Sequence, residues 1–256
     1  MTEDGPISRW NRALVYGIGV SGRAATRLLL DRGVEVLAVD ARDPGPEELG
    51  ELSRAPGLEL RLGSDPEECP ANVDAVVLSP GVPPQRPLVI SAREKGLPVL
   101  GEVELAFPLT RGPVLAVTGS NGKSTTVALA GAMLEAGGRP VEVCGNIGRP
   151  LCAAVTESPG AVFVVELSSF QLESIRDFRP VAAALLNLSP DHLDRYSNLR
   201  EYRRAKERIF ENQGPDDIGV LPADSAFLDA FRPPGRVRYF SPSRPVEEGC
   251  FLDDRG

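Results

Sequence analysis

Lysine is scarce in this chain: of 28 basic residues only Lys95, Lys123 and Lys206 are lysine. Arginine stays charged and presents a rigid fork, whereas lysine is a compact point charge whose amine can lose its proton and react. Lys123 falls in "TGSNGKST" (Thr118–Thr125), which carries G-x-x-G-K-S from Gly119 to Ser124. A glycine turn of this kind directs consecutive backbone N–H groups at phosphates, lets the lysine reach the terminal phosphates and offers a hydroxyl to Mg²⁺. Gly119, Ser120, Asn121, Gly122, Lys123, Ser124, Thr125 and Thr126 are therefore the ATP-binding candidates. The loop departs from the longer phosphate-binding pattern, because Val117 stands where its first glycine would fall.

Two carboxylate-bearing stretches are placed to complete such a site. Glu166 follows the apolar run Phe163, Val164, Val165 and would emerge at the C-terminal edge of a sheet, where ligands of open α/β sheets bind. It could cap the next helix; the chemical reading is a Mg²⁺ ligand beside the Ser124 hydroxyl. "NLSPDHLDRY" (Asn187–Tyr196) holds His192, the chain's single histidine, between Asp191 and Asp194. Mg²⁺ prefers oxygen, so His192 could equally hydrogen-bond a phosphate. Lys206 falls on the apolar stripe Leu199, Tyr202, Ile209, Phe210 of a helical stretch. It either snorkels from a core edge or points inward at a reactive site.

A second glycine turn comes earlier. "GIGVSG" (Gly17–Gly22) fits G-x-G-x-x-G between an apolar run and an amphipathic one, and Asp40 closes the next apolar run 18 residues after Gly22. The backbone of Gly17, Gly19, Val20, Ser21 and Gly22 could approach a diphosphate at a helix N-terminus. A tight turn without ligand is the plainer alternative.

The elements that must position these residues alternate between strand and helix. Strands are expected at "ALVYG", "EVLAVD", "DAVVLS" and "LPVLG", with helices after "GIGVSG" and at "RPLVISAREKG". The alternation restarts after "FPLTRGP" with "VLAVTG", the helix "GKSTTVALAGAMLEAGG", "VEVCG", "AVFVVELS", "VAAALLNLS" and the helix "NLREYRRAKERIFEN". This pattern predicts parallel sheets flanked by helices. The fold class is thus α/β: a Rossmann-like domain over residues 1–108, then a P-loop ATPase-like domain over 109–256, which the family resemblance given below implies is partial. The tail from Gly214 is rich in Pro and Asp turns and reads less clearly.

Composition excludes some classes. A formal charge of −8 argues against a nucleic-acid surface, which needs a basic face. No apolar run approaches the ~20 residues of a membrane span, and the acidic start "MTEDGPISRW" is no signal peptide. Cys69, Cys144, Cys152 and Cys250 show neither CxxC spacing nor disulfide density, so a reducing cytoplasm is expected.

With "GIGVSG", "SPG" (Ser79–Gly81), "GEVEL" (Gly101–Leu105), "TGSNGKST", "GNIG" (Gly145–Gly148), "ELSSFQLE", "DHLDRY" and "YRRAKERIFEN" in view, the chain resembles the Mur ligase family, specifically its D-glutamate-adding branch. The resemblance spans Gly17 to Asn212. It implies activation of a carboxylate by ATP to an acyl phosphate, then attack by an amine. The substrates implied are UDP-N-acetylmuramoyl-L-alanine, ATP and D-glutamate, and a monomer is expected. On this resemblance Lys123 and its loop hold ATP, Ser124 and Glu166 one Mg²⁺, and His192 a second Mg²⁺. Lys206 would carry a CO₂-derived carbamate that adds an oxygen donor. Gly17–Gly22, Asp40 and Arg42 would hold uridine diphosphate, with Ser79, Pro80, Gly81, Asn146, Ser168 and His192 along the rest of the substrate. Ala41 lacks the hydroxyl often found beside that aspartate. Members also carry further central segments and a third, amino-acid-binding domain, so a chain ending at Gly256 is expected to bind substrate without turnover. The runner-up readings are another Mur-type or folylpolyglutamate-type ligase, or a non-catalytic nucleotide-sugar-binding fragment.

Overall fold

The first strand, β1 (Arg12–Tyr16), is buried along nearly its whole length, as a central parallel strand covered on both faces must be. The computed structural model describes residues 5–190, 195–225 and 231–253, which form two units. One comprises the chain up to Leu109 with Pro150–Pro159 and Ser174–Arg176; the other comprises the remainder.

In the first unit β1 is joined by β2 (Glu35–Asp40), β3 (Leu58–Leu62), β4 (Ala75–Leu78) and β5 (Val99–Gly101). The sheet order is β3-β2-β1-β4-β5 and every pair is parallel. The sheet edge β3, "LELRL", is an addition to the strands expected from sequence. It alternates half-buried and exposed residues, as a partly covered edge does. The crossover helices are α1 (Val20–Asp31), the short α2 (Gly45–Leu49) and α3 (Pro87–Glu94), with α4 (Glu102–Ala106) after the last strand. Leu14, Leu37, Val76, Leu88 and Val89 pack in a core where each is fully buried or within 1% of it. Burial of one such side chain stabilises by about 1.5–3 kcal/mol. A Cβ on Gly22 would run into the Gly17 carbonyl oxygen, so glycine is what lets α1 start this close to β1.

Two buried carboxylates of "GEVEL" bind the returning segments into this unit. Glu102 Oε1 accepts the Cys152 N–H at 2.5 Å, and Glu104 Oε2 accepts the Arg176 N–H at 2.8 Å.

The second unit contains β6 (Val114–Thr118), β7 (Val141–Gly145), β8 (Val162–Glu166), β9 (Ala182–Leu185), β10 (Ile218–Pro222), β11 (Arg236–Ser241) and β12 (Gly249–Phe251). The order is β12-β11-β10-β9-β6-β8-β7, again wholly parallel. The tail that read poorly therefore supplies three consecutive strands. Helix α5 (Lys123–Ala136) follows β6, and α6 (Leu151–Glu157) belongs to the first unit. Short α7 (Ser169–Leu172) follows β8, and α8 (Leu199–Glu207) is shorter than its periodicity suggested, because Arg208–Phe210 tightens into a 3₁₀ turn. β9 is likewise shorter than its apolar run: after Leu185 the chain turns to meet the phosphate loop, with Asn187 accepting the Ser120 N–H at 3.1 Å. Among the described residues no helix is long and apolar enough to cross a membrane.

Candidate functional site

Strand order decides which loops meet. β6 lies between β8 and β9, so the loops after these three strands share one sheet edge. The turn Gly119–Gly122 leaves β6, Glu166 ends β8, and Asn187–Ser189 follows β9. Gly122 caps α5 at φ +81°, a left-handed conformation that disfavours side chains and frees the loop to turn into the helix.

The Ser124 hydroxyl donates to Glu166 Oε2 at 2.7 Å, while Asn146 Nδ2 donates to Glu166 Oε1 at 2.8 Å. A second bond, Asn146 N–H to the Glu166 carbonyl at 2.8 Å, ties the β7 loop to β8. Glu166 is buried, and the register pairs it with Val117, one residue before the end of β6. It does not cap the next helix. Ser168 does that, accepting the Gln171 N–H at 3.2 Å in a reciprocal capping box. A hydroxyl and a carboxylate meeting at the head of a phosphate loop form an oxygen-donor pair of the kind a divalent magnesium ion takes.

Lys123 Nζ donates to the Gly119 and Ser120 carbonyls, both at 3.0 Å, so its ammonium lies over the turn. The turn is braced from the β9 side. Asn121 N–H donates to Asn187 Oδ1 and Asn187 Nδ2 donates back to the Asn121 carbonyl, each at 2.9 Å. Ser120 Oγ accepts the Ser189 N–H and donates to the Ser189 carbonyl, both at 3.0 Å. The Thr126 hydroxyl donates back to the Gly122 carbonyl at 2.8 Å, and Thr125 is exposed.

Lys206 is 1% exposed. Its Nζ donates to the Gly119 carbonyl at 2.9 Å and sits 4.7 Å from the centroid of the Tyr202 ring. The Tyr202 hydroxyl is 3.3 Å from Ser120 Oγ. Lys206 thus points inward, to the base of the phosphate loop. His192 lies outside the described residues. Sequence reasoning did not single out Asn187 or Tyr202 beside the loop; the position of Asn187 at the end of an apolar run was a signal, but which strand neighbours β6 was not.

In the first unit a cleft of about 430 Å³ opens at the C-terminal ends of β1, β2 and β4. Gly17 and Gly19, Asp40 and Arg42, and Ser79 and Gly81 line it. Asp40 is partly committed to shaping the turn, since Oδ2 accepts the Ile18 N–H at 2.8 Å and Oδ1 the Arg42 N–H at 2.9 Å. Val20 and Ser21 open α1, and Pro80 lies in the loop after β4. The Tyr16 phenol at the end of β1 is pushed well above its ordinary pKa by burial and by its hydrogen bond to Asp65.

Residues 11–101 match the family model of a Mur ligase MurD-like N-terminal domain, and residues 117–243 that of a Mur ligase middle domain. The chain is 41% identical over 248 residues to the UDP-N-acetylmuramoylalanine–D-glutamate ligase of Caldanaerobacter subterraneus subsp. tengcongensis, covering 95% of this chain and 55% of that one. It is 44% identical over 246 residues to the ligase of the same name from Pelotomaculum thermopropionicum, covering 94% and 54%. The chain therefore spans about half the length of these relatives. Its fold is shared by the crystal structure of UDP-N-acetylmuramate:L-alanyl-gamma-D-glutamyl-meso-diaminopimelate ligase from Neisseria meningitides, with TM-score 0.62 at 19% identity over 90% of this chain and 78% of that one. UDP-N-acetylmuramate-alanine ligase from Thermotoga maritima has TM-score 0.54 at 20% identity, covering 92% and 53%.

Proposed function

The chain belongs to the Mur ligase family, and on that premise we propose that it carries the nucleotide sites of an ATP-dependent ligase joining D-glutamate to UDP-N-acetylmuramoyl-L-alanine. The observation that carries the reading is the Ser124–Glu166 contact at the head of α5. The choice of D-glutamate rests on the motifs shared with the D-glutamate-adding branch and on the relatives' names.

In this reading residues 1–108 bind the uridine nucleotide and residues 109–256 bind ATP. The N–H groups of Gly119–Thr126 face the phosphates, and Lys123 leaves the loop carbonyls for the terminal phosphates. A substrate carboxylate oxygen attacks the γ-phosphorus as the bond to ADP breaks, giving an acyl phosphate. The D-glutamate nitrogen then attacks the acyl carbon, phosphate leaves and the nitrogen loses a proton. The protein's part is to position these groups and neutralise charge on the transferring phosphoryl. Ser124 and Glu166 would hold one Mg²⁺, with Asn146 keeping the carboxylate in place, and His192 is proposed for a second. Bound magnesium supplies positive charge against the phosphate oxygens. Gly17–Gly22, Asp40 and Arg42 are assigned to the uridine diphosphate. Ser79–Gly81, Asn146, Ser168 and His192 are assigned to the remainder of that substrate. The reaction is placed in the cytoplasm, with the protein a monomer.

Lys206 supports two readings. Its buried amine, once neutral, could attack CO₂ and lose a proton to give a carbamate oxygen donor at the loop. The Gly119 carbonyl and the Tyr202 ring face instead suit an ammonium that braces the loop. A ¹³CO₂ carbamate resonance that disappears in Lys206→Arg establishes the first; its absence in wild type establishes the second.

The function is tested by calorimetry with UDP-N-acetylmuramoyl-L-alanine against UDP-N-acetylglucosamine, and with ATP·Mg²⁺. Preferential binding of the muramoyl-alanine compound and Lys123-dependent binding of ATP are expected. Equal affinity for both uridine compounds overturns the substrate assignment.

A further inference from the structure

Arg86 lines the first unit's cleft and heads the helical stretch "RPLVISAREKG", but none of the site assignments above includes it. It follows Pro83 and Pro84 in the loop after β4 and forms the N-cap of α3. Its Nη1 donates to Asp65 Oδ2 at 2.7 Å. The other oxygen, Asp65 Oδ1, accepts the hydroxyl of Tyr16, the last residue of β1. The tyrosine is 3% exposed and so anchors the carboxylate to the sheet. Asp65 in turn fixes the guanidinium at the cleft.

This arrangement uses only one end of the guanidinium. The Nε–Nη2 edge, whose two N–H bonds run parallel, has no partner among the described residues. That edge is the fork that grips two oxygens of a phosphate or carboxylate. The side chain is about half exposed and lies where a ligand in the cleft could reach it.

The sheet order says which part of the ligand that is. Across the cleft run β2, β1 and β4, about 4.8 Å apart. Asp40 and Arg42 follow β2, the Gly17–Gly19 turn follows β1, and Arg86 belongs to the β4 side. A nucleoside placed at Asp40 with its first phosphate over the glycine turn directs its next phosphate toward β4. We propose that Arg86, oriented by Asp65 and Tyr16, is the binding residue for the distal phosphate of the nucleoside diphosphate. The assignment rests on the uridine-nucleotide reading of the first unit. It makes the cleft selective for diphosphates over monophosphates, with one cation near each end: Arg42 on the nucleoside side and Arg86 on the sugar side.

The test compares UDP, UMP and uridine binding by calorimetry, with ligand-observed NMR for the weaker ligands. The proteins are wild type, Arg86→Ala, Arg86→Lys and Asp65→Asn. Arg86→Ala is expected to weaken UDP roughly tenfold or more, the scale of a charge-assisted phosphate contact, while UMP and uridine keep wild-type affinity. Arg86→Lys recovers part of the loss, because it restores the charge without the fork. Asp65→Asn, which leaves the arginine but loosens its orientation, falls between wild type and Arg86→Ala. The proposal is overturned if Arg86→Ala binds UDP as wild type does, or if it loses UMP and uridine in proportion. If wild-type protein binds none of the three, the uridine-nucleotide reading itself fails and the assignment falls with it.

Discussion

Glu102 offers a quantitative test of how the first unit is held together. Its side chain is 1% exposed, Oε1 accepts the Cys152 N–H, and Oε2 is buried with no hydrogen-bond partner among the described residues. Burial raises its pKa from the ordinary 4.5 to about 7, against the opposing pull of the Cys152 N–H. A carboxyl raised on folding contributes stability that is fully present below its unfolded pKa and is lost as pH rises through the folded one. The window therefore runs from about pH 4.5 to just above 7. Between pH 5 and 8.5 this one group should cost the folded state about 2–3 kcal/mol, at 1.36 kcal/mol per pKa unit. Glu102→Gln keeps the acceptor for Cys152 and cannot ionise. Its stability relative to wild type should thus improve by that amount between the two pH values, whatever constant penalty the amide brings. Cys152 does not confuse the comparison, since burial and the neighbouring Glu102 push its thiol well up. Urea unfolding followed by Trp10, the chain's single tryptophan and a residue of the first unit, provides the assay. Parallel pH–stability curves for wild type and Glu102→Gln would refute the argument.

Four further outcomes follow from the geometry. Lys123→Ala should abolish ATP·Mg²⁺ binding in calorimetry without lowering the melting temperature, because its two bonds to loop carbonyls are part-buried and replaceable by water. Glu166→Gln should weaken ATP in the presence of Mg²⁺ far more than in EDTA, since it removes the charge but keeps side-chain acceptor and donor atoms for Ser124 and Asn146. Ser168→Ala should cost about 1 kcal/mol in denaturant unfolding by removing the capping box of α7. Gly22→Ala should destabilise the first unit and lower UDP affinity together, measured on the same sample, because its Cβ meets the Gly17 carbonyl of the turn.

The two glycine turns, Glu166 at a strand end and the strand–helix alternation were all legible in the sequence, because each depends on local patterning. β2 and β7 run over the residues expected of them, since an apolar run bounded by turn residues is a local property. The missed pieces depend on distant partners. β3 is strand only because β2 offers it an edge, and β10, β11 and β12 extend a sheet whose nearest neighbour is β9. α6 belongs to the first unit, where it packs on α1 and α4 and where Glu102, some 50 residues earlier, accepts its Cys152 N–H.

Sequence by itself determined the chemistry available to this protein: a lysine and hydroxyl on a phosphate turn, a carboxylate after a buried strand, a lysine on an apolar stripe. Tertiary structure decided which of these groups meet. Only the order β9-β6-β8 brings Ser124 onto Glu166 and Asn187 onto Asn121, because strands far apart in the chain become neighbours through backbone pairing. Only burial turned Lys206 toward the Gly119 carbonyl, and only the fold brought Tyr16, Asp65 and Arg86, from three separate segments, to one side of a cleft. Buried polar groups must find partners wherever the fold places them, and that requirement cannot be read from spacing along the chain.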